Sequence, residues 1–173
     1  MDNYICINGK KAELTEEQLK ALGIELPKSN PFERVCSNAN EFYSFYYISS
    51  TGSVCECVDS GFSNGNGTID LRHRAANYCT DKAILEQRAL HETLNRLLWR
   101  YSMEHGGDKI DWNDPHCPAK YYILFDHANK KWDVSYTFMD IMYCVYFATE
   151  AVAEAAIEAI VNPFMNAHPE FKF

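Results

Sequence analysis

Polar and apolar positions alternate over several short stretches of the chain, and two longer stretches repeat at helical spacing. Tyr4-Ile5-Cys6-Ile7 reads as a strand, Asn8-Gly9 is a strong two-residue hairpin signal, and Ala12-Glu13-Leu14 returns as a second strand. Thr15 with Gln18 then has the form of a capping box. Leu19 and Leu22 form an apolar helical face, and Gly23 stands where a helix ends. Pro27 and Pro31, with Ser29-Asn30 between them, read as a linker, so residues 1–30 are expected to form a hairpin–helix arm. From Phe42, alternation places Tyr43, Phe45 and Tyr47 on one face of a strand. Thr51-Gly52 turns the chain and Val54–Val58 returns. Residues 60–67 have loop composition, Ile69-Asp70-Leu71 and Ala76–Cys79 read as strand pieces, and no Gly or Pro interrupts the run from Asp81 to about His105.

That run predicts a helix about 37 Å long at 1.5 Å per residue, longer than one small sheet can cover. Thr80 is expected at its N-cap, Asp81 in its first turn and Gly106-Gly107 at its end. Ile84, Leu90, Leu94, Leu97, Leu98 and Tyr101 make its apolar stripe. A Pro-containing connection follows around Trp112-Asn113-Asp114-Pro115. Tyr121–Phe125 and Lys131–Phe138 then form a hairpin across Asp126–Asn129, and a further strand spans Met142–Phe147. The last helix begins near Thr149, turns Val152, Ala155, Ala156, Ala159 and Ile160 inward, and is expected to stop at Pro163. Phe164, Phe171 and Phe173 predict a tail that docks.

Two of these stretches look like versions of one unit. Tyr46-Tyr47-Ile48 leads through turns to Tyr78-Cys79-Thr80-Asp81 and a helix, and Tyr121-Tyr122-Ile123 leads to Tyr146-Phe147-Ala148-Thr149-Glu150 and another. Internal repetition of this kind sets architecture. The expected fold is α+β: two related β-β-(β)-α units, at 42–107 and 120–173, share an antiparallel sheet with both helices on one face, plus the N-terminal arm. The repeated positions are packing and capping residues, and no nucleophile, base or ligand set recurs among them.

Composition narrows the function classes. The 173 residues carry a net charge of −8, 14% aromatics and eleven tyrosines. Residues 132–173 hold six acids against one base, residues 1–71 ten against five, and residues 72–109 seven bases against five acids. An acidic chain is a poor default nucleic-acid binder, because phosphate neutralisation drives that affinity. Seven cysteines, several inside apolar runs, fit free thiols in a reducing compartment. Met1-Asp2-Asn3 opens no signal peptide, and no apolar run approaches the ~18 residues of a membrane span. A soluble, cytoplasmic protein is expected.

Catalytic and metal motifs are not found. Cys55 and Cys57 are two apart and His116-Cys117 could add a second pair, but zinc spacings place two to four residues between paired ligands, so strand packing is the better account. No Gly-x-Ser-x-Gly or comparable frame joins a nucleophile to a base. Gly61–Gly67 has neither the Walker lysine nor dinucleotide spacing into a helix. The reading is of a protein that is not an enzyme and uses no cofactor or metal.

Two surfaces remain. Glu150, Glu154 and Glu158 stand four apart on one helix face with no base to pair within that helix, so they repel by a few tenths of a kcal/mol per pair. That ribbon, flanked by Asp133 and Asp140, suits a basic partner. Opposed to it is a basic face of Arg72, His73, Arg74, Lys82, Arg88, Arg96 and Arg100, diluted by Glu86, Glu92 and Glu104. The alternative is therefore a nucleic-acid-binding accessory protein using Arg72, Arg74, Arg88, Arg96 and Arg100.

The segments Ile5–Lys10 with Leu14–Ile24, Asn30-Pro31-Phe32, Asn77–Asp81, Leu94–Trp99 and Val145-Tyr146-Phe147 before an Ala/Glu helix together resemble small proteins encoded by phages and prophages of Gram-positive gut bacteria. The resemblance spans most of the chain. Cys79 departs from it, since an aromatic is expected between Tyr78 and Thr80. Some accessory proteins of such phages inhibit type II CRISPR nucleases. The resemblance thus implies a phage-type accessory inhibitor whose partner is a host nuclease or another nucleic-acid-handling protein. It carries over no functional residues.

Overall fold

The computed structural model describes residues 4–7, 10–13, 15, 18, 21, 30–34, 43–59, 67–114, 116 and 118–172. The fold is α+β, with antiparallel sheets and helices packed against them. Strand β1 (Tyr4–Ile7) pairs with β2 (Lys10–Glu13), with Ile7 opposite Lys10, the register a two-residue connection gives. Thr15 N–H donates to Gln18 Oε1 at 2.9 Å and Gln18 N–H to Thr15 Oγ1 at 3.3 Å, the reciprocal bonds of a capping box. Most of the helix expected after it, the Pro27 linker and the 60–66 loop lie outside the described residues.

Strands β3 (Tyr43–Ile48) and β4 (Val54–Asp59) form a hairpin with Ile48 opposite Val54, turned at Gly52, whose φ of 88° suits a residue without Cβ. Cys79 joins the other edge of β3 through a single bridge to Tyr46, with backbone bonds of 2.7 and 3.0 Å. The Asn77 carboxamide extends that edge by accepting from Ile48 N–H at 2.7 Å and donating to Ile48 C=O at 2.8 Å. Farther along the chain, β5 (Lys120–Asp126) pairs on one side with β6 (Lys131–Thr137) and on the other with the two-residue β7 (Tyr146–Phe147). The two hairpins belong to separate sheets, not the one shared sheet that the repeat predicts.

The helices correct several expectations. Residues 68–74 form helix α1 (Thr68–Arg74), not a strand. Asp70 sits in its first turn and accepts from Gly67 N–H at 3.2 Å, and this local cap outweighs the weak Ile69-Asp70-Leu71 alternation. Helix α2 (Lys82–Glu104) is capped by Asp81, not Thr80: Asp81 Oδ1 accepts from Ala83 N–H at 2.9 Å and Ile84 N–H at 3.4 Å. Thr80 instead donates its N–H and hydroxyl to Pro31 C=O, tying the linker to the helix start. The buried face of α2 is Leu85, Ala89, Leu94, Leu98 and Ser102, while Ile84 is exposed, so the stripe is rotated from the expected one.

Helix α3 (Glu150–Ala156) starts at Thr149 as expected, with Thr149 Oγ1 accepting from Val152 N–H at 3.3 Å. Its buried residues are Ala153 and Ala156, while Ala155 and Ala159 face solvent. Pro163 does not stop the chain's helical course. Residues 157–161 form a π turn in which Asn162 N–H reaches Ile157 C=O, and α4 (Asn162–Ala167) follows with Pro163 in its first turn. A proline there lacks only a donor that the helix start leaves unused, and the wider turn leaves room for its ring. The principal core gathers Leu94, Leu98, Phe147, Ala153, Ala156, Val161, Phe164 and Phe171. A smaller cluster of Ile48, Cys79, Leu85 and Ala89 lies under the β3–β4 hairpin. No helix among the described residues is long and apolar enough to cross a membrane.

Candidate partner-binding groove

Helix α3 packs over β6 and leaves a groove of about 480 Å³ beside that strand. Trp132, Asp133 and Val134 form the strand wall, and Glu154 and Glu158 stand on the helix wall. Ala151 and Ala155 keep the helix wall low between the acids, and Ile157 adds an apolar contact. Two of the five carboxylates expected to bind a partner, Glu154 and Glu158, therefore flank one depression, and Asp133 lies in its strand wall. Glu150 is exposed in the first turn of α3, where the helix dipole favours an acid, and does not line the groove. Asp140 lies apart, in the 138–145 connection between β6 and β7.

The groove's charge is only partly balanced. Lys131 Nζ pairs with Asp133 Oδ2 at 2.9 Å, and this contact, with help from Val134 N–H, holds the Asp133 carboxyl below its ordinary range. The same contact holds the Lys131 ammonium above its own. Glu158 Oε2 accepts from Asn162 Nδ2 at 3.0 Å, a neutral donor. Among the described residues no ion pair reaches Glu150, Glu154 or Glu158.

The arginines of the opposed basic face are spent on their own surroundings. Arg88 pairs with Glu92 at 2.8 Å and also donates to Ala76 C=O. Arg100 pairs with Glu104 at 3.9 Å, and Arg96 donates to Thr93 Oγ1 at 3.3 Å beside Gly52. Arg72 stands over the Tyr47 ring, its guanidinium carbon 3.4 Å from the centroid, and Arg74 is exposed at the end of α1. The arginine that the sequence did not single out is Arg34. It reaches Asp59 at 2.9 and 3.2 Å and also contacts Asp70, binding two buried carboxylates near the start of α1.

Cys55, Cys57, Cys79 and Cys144 are free thiols, and burial pushes the Cys79 and Cys144 thiols up. Raised thiols are poor nucleophiles. Among the described residues no group of three His, Cys, Asp or Glu side chains could hold a metal, and Cys117 lies outside those residues.

Sequence reasoning missed a second surface. Tyr136, Phe138, Met139, Ile141, Met142 and Tyr143 are all exposed, Tyr143 at 89% with a left-handed φ of 66°. The expected strand over 142–147 hid Met142 and Tyr143, because a strand there would have turned one of the two inward. No protein-family model, curated protein or solved structure matches the chain.

Proposed function

We propose that this protein is a non-enzymatic interaction protein that uses the α3/β6 face to bind a basic, nucleic-acid-handling partner. The observation that carries the reading is the placement of Glu154 and Glu158 beside one groove, with no ion pair to either among the described residues. Nucleic-acid enzymes line their channels with Lys and Arg, and an acidic surface can occupy such a channel by presenting charge where phosphates would lie. The free thiols fit action in a reducing cytoplasm. With the resemblance to phage accessory proteins, the partner we favour is a host CRISPR nuclease of type II, and the activity is its inhibition.

The same reading takes the two hairpins as copies of one β-β-(β)-α unit. Each first strand is flanked by its hairpin partner and by a short third pairing, Tyr46 with Cys79 in one copy and Tyr121 with Phe147 in the other. In each, an N-capped helix then begins within three residues.

DNA cleavage by a purified type II nuclease, measured with and without the protein, tests the function. Cleavage should fall, less so as salt rises, and a variant reversing Glu150, Glu154 and Glu158 to lysine should not inhibit. Inhibition unchanged in the reversed variant contradicts the acidic mechanism, and no inhibition by the native chain contradicts the nuclease assignment. Salt-sensitive binding to DNA alone, lost on replacing Arg88, Arg96 and Arg100, would establish the nucleic-acid-binding alternative instead.

A further inference from the structure

The groove beside α3 is also a strand edge. β6 is the outermost strand of its sheet, and no other strand among the described residues pairs with its outer side. Val134 N–H donates to the Asp133 carboxylate at 3.0 Å instead of into the β5 ladder, so it points outward. In an antiparallel ladder outward and inward groups alternate by residue, which puts the N–H and C=O of Tyr136 on that edge too. The far side of the sheet agrees. Tyr146, opposite Tyr122, turns its C=O away from β5 to accept from Ser102 Oγ, as it must if Tyr122 directs its own groups at β6.

We infer that the partner contributes an extended, lysine- or arginine-bearing segment that adds to β6 as a further strand, under the carboxylates of α3. This deepens the acidic-face reading and rests on it. Three observations select that occupant. The outward-facing backbone groups of Val134 and Tyr136 lie on an edge that no other described strand pairs with, and an added strand supplies a partner backbone. Trp132 and Val134 face the α3 side of the sheet, so alternate residues of an added strand face the helix. Glu154 and Glu158, four residues apart, are separated by about 6 Å along a helix, close to the roughly 6.7 Å between same-side residues of a strand. Alternate cations of the segment therefore match successive glutamates. Asp133, which closes over the Val134 amide, must release it when the strand arrives. That contact blunts an edge that would otherwise self-associate.

The test uses a blocked peptide of alternating lysine and valine, and the same peptide methylated at every backbone nitrogen. Both carry the same charge, but only the first can donate to a strand edge. We expect the unmethylated peptide to bind, to slow hydrogen exchange at the Val134 amide, and to exceed its methylated form in affinity by about tenfold or more. Val134→Pro, which removes an outward N–H and leaves the β5 ladder intact, should reduce binding to the methylated level. The methylated peptide keeps the test decisive if that variant fails to fold. Equal affinity for the two peptides overturns strand addition but leaves the acidic face standing, provided Glu154→Lys and Glu158→Lys weaken both. No binding of the unmethylated peptide also overturns it, whereas the wider reading falls only with the nuclease assay.

Discussion

Helices α2 and α3 each follow a hairpin, yet they meet the rest of the molecule in opposite ways. Along α2 the charges are settled within the helix, by Lys82–Glu86 at 3.0 Å, Arg88–Glu92 and Arg100–Glu104. Residues 170–172 bond to one side of it. Gln87 Nε2 donates to Glu170 C=O at 3.0 Å, and Gln87 Oε1 accepts from Lys172 N–H at 2.8 Å. His91 Nε2 meets Lys172 C=O at 2.8 Å, and Phe171 is buried beneath. Along α3 the glutamates have no ion-pair partner among the described residues, and two of them stand beside a groove. A helix that has met its needs internally is a poor place to look for a partner, and a helix that has not is a good one. The tail on α2 also shows what an extended segment gains: side-chain bonds to its backbone and one anchoring aromatic.

The acids repeat the contrast. Asp59 and Asp70 are buried around Arg34, whereas Glu150, Glu154 and Glu158 face solvent. Replacing Arg34 with Met should therefore destabilise the protein by roughly 3–5 kcal/mol, because it strands buried carboxylates. Denaturant unfolding measures this, and a loss below about 1 kcal/mol would remove the distinction between the two sets of acids. Phe171→Ala should cost a similar ~3–5 kcal/mol if the tail is part of the core. Gln87→Ala should cost about 1 kcal/mol and speed exchange of the Lys172 amide, since it removes the backbone clamp without opening a cavity. Reversing Glu150, Glu154 and Glu158 to lysine should leave stability within about 0.5 kcal/mol, as surface changes usually do, while abolishing partner binding.

The smallest effect is a pH dependence in the β5–β6 hairpin. The Asn129 side chain and backbone N–H groups hold the Asp126 carboxyl below its usual range, so it contributes stability above the unfolded value. That contribution is lost as pH falls through the folded value, below about 4. Asp126→Asn should flatten the dependence of the thermal midpoint in that acid range and change it little near neutrality.

Much of this architecture was legible in the sequence, and the failures have specific physical causes. Strong local signals held: the Thr15/Gln18 box, the Gly52 turn, both long hairpins and the Thr149 cap. Docking of the tail also held for Phe171, an aromatic too costly to leave in water. Weak alternation failed at 69–71, where a carboxylate near a helix start decides the matter, and at 142–145, where the chain turns at Tyr143 before β7 begins. Pro163 misled because a π turn ahead of it changes what a proline breaks. For the groove, the four-residue spacing placed Glu154 and Glu158 together, and Asp133 was grouped with them on charge alone. The openness of the β6 edge and the Arg34 clamp depend on long-range pairing, which a single chain's pattern does not encode.

Amide chemical-shift mapping during titration with the lysine–valine peptide, at low and at high salt, tests the central claim most directly. The account predicts perturbations along Trp132–Tyr136 and across Ala151–Glu158 that diminish with salt, with the α2 arginines unmoved. Perturbations centred on residues 138–143, or on Arg88, Arg96 and Arg100, would contradict it.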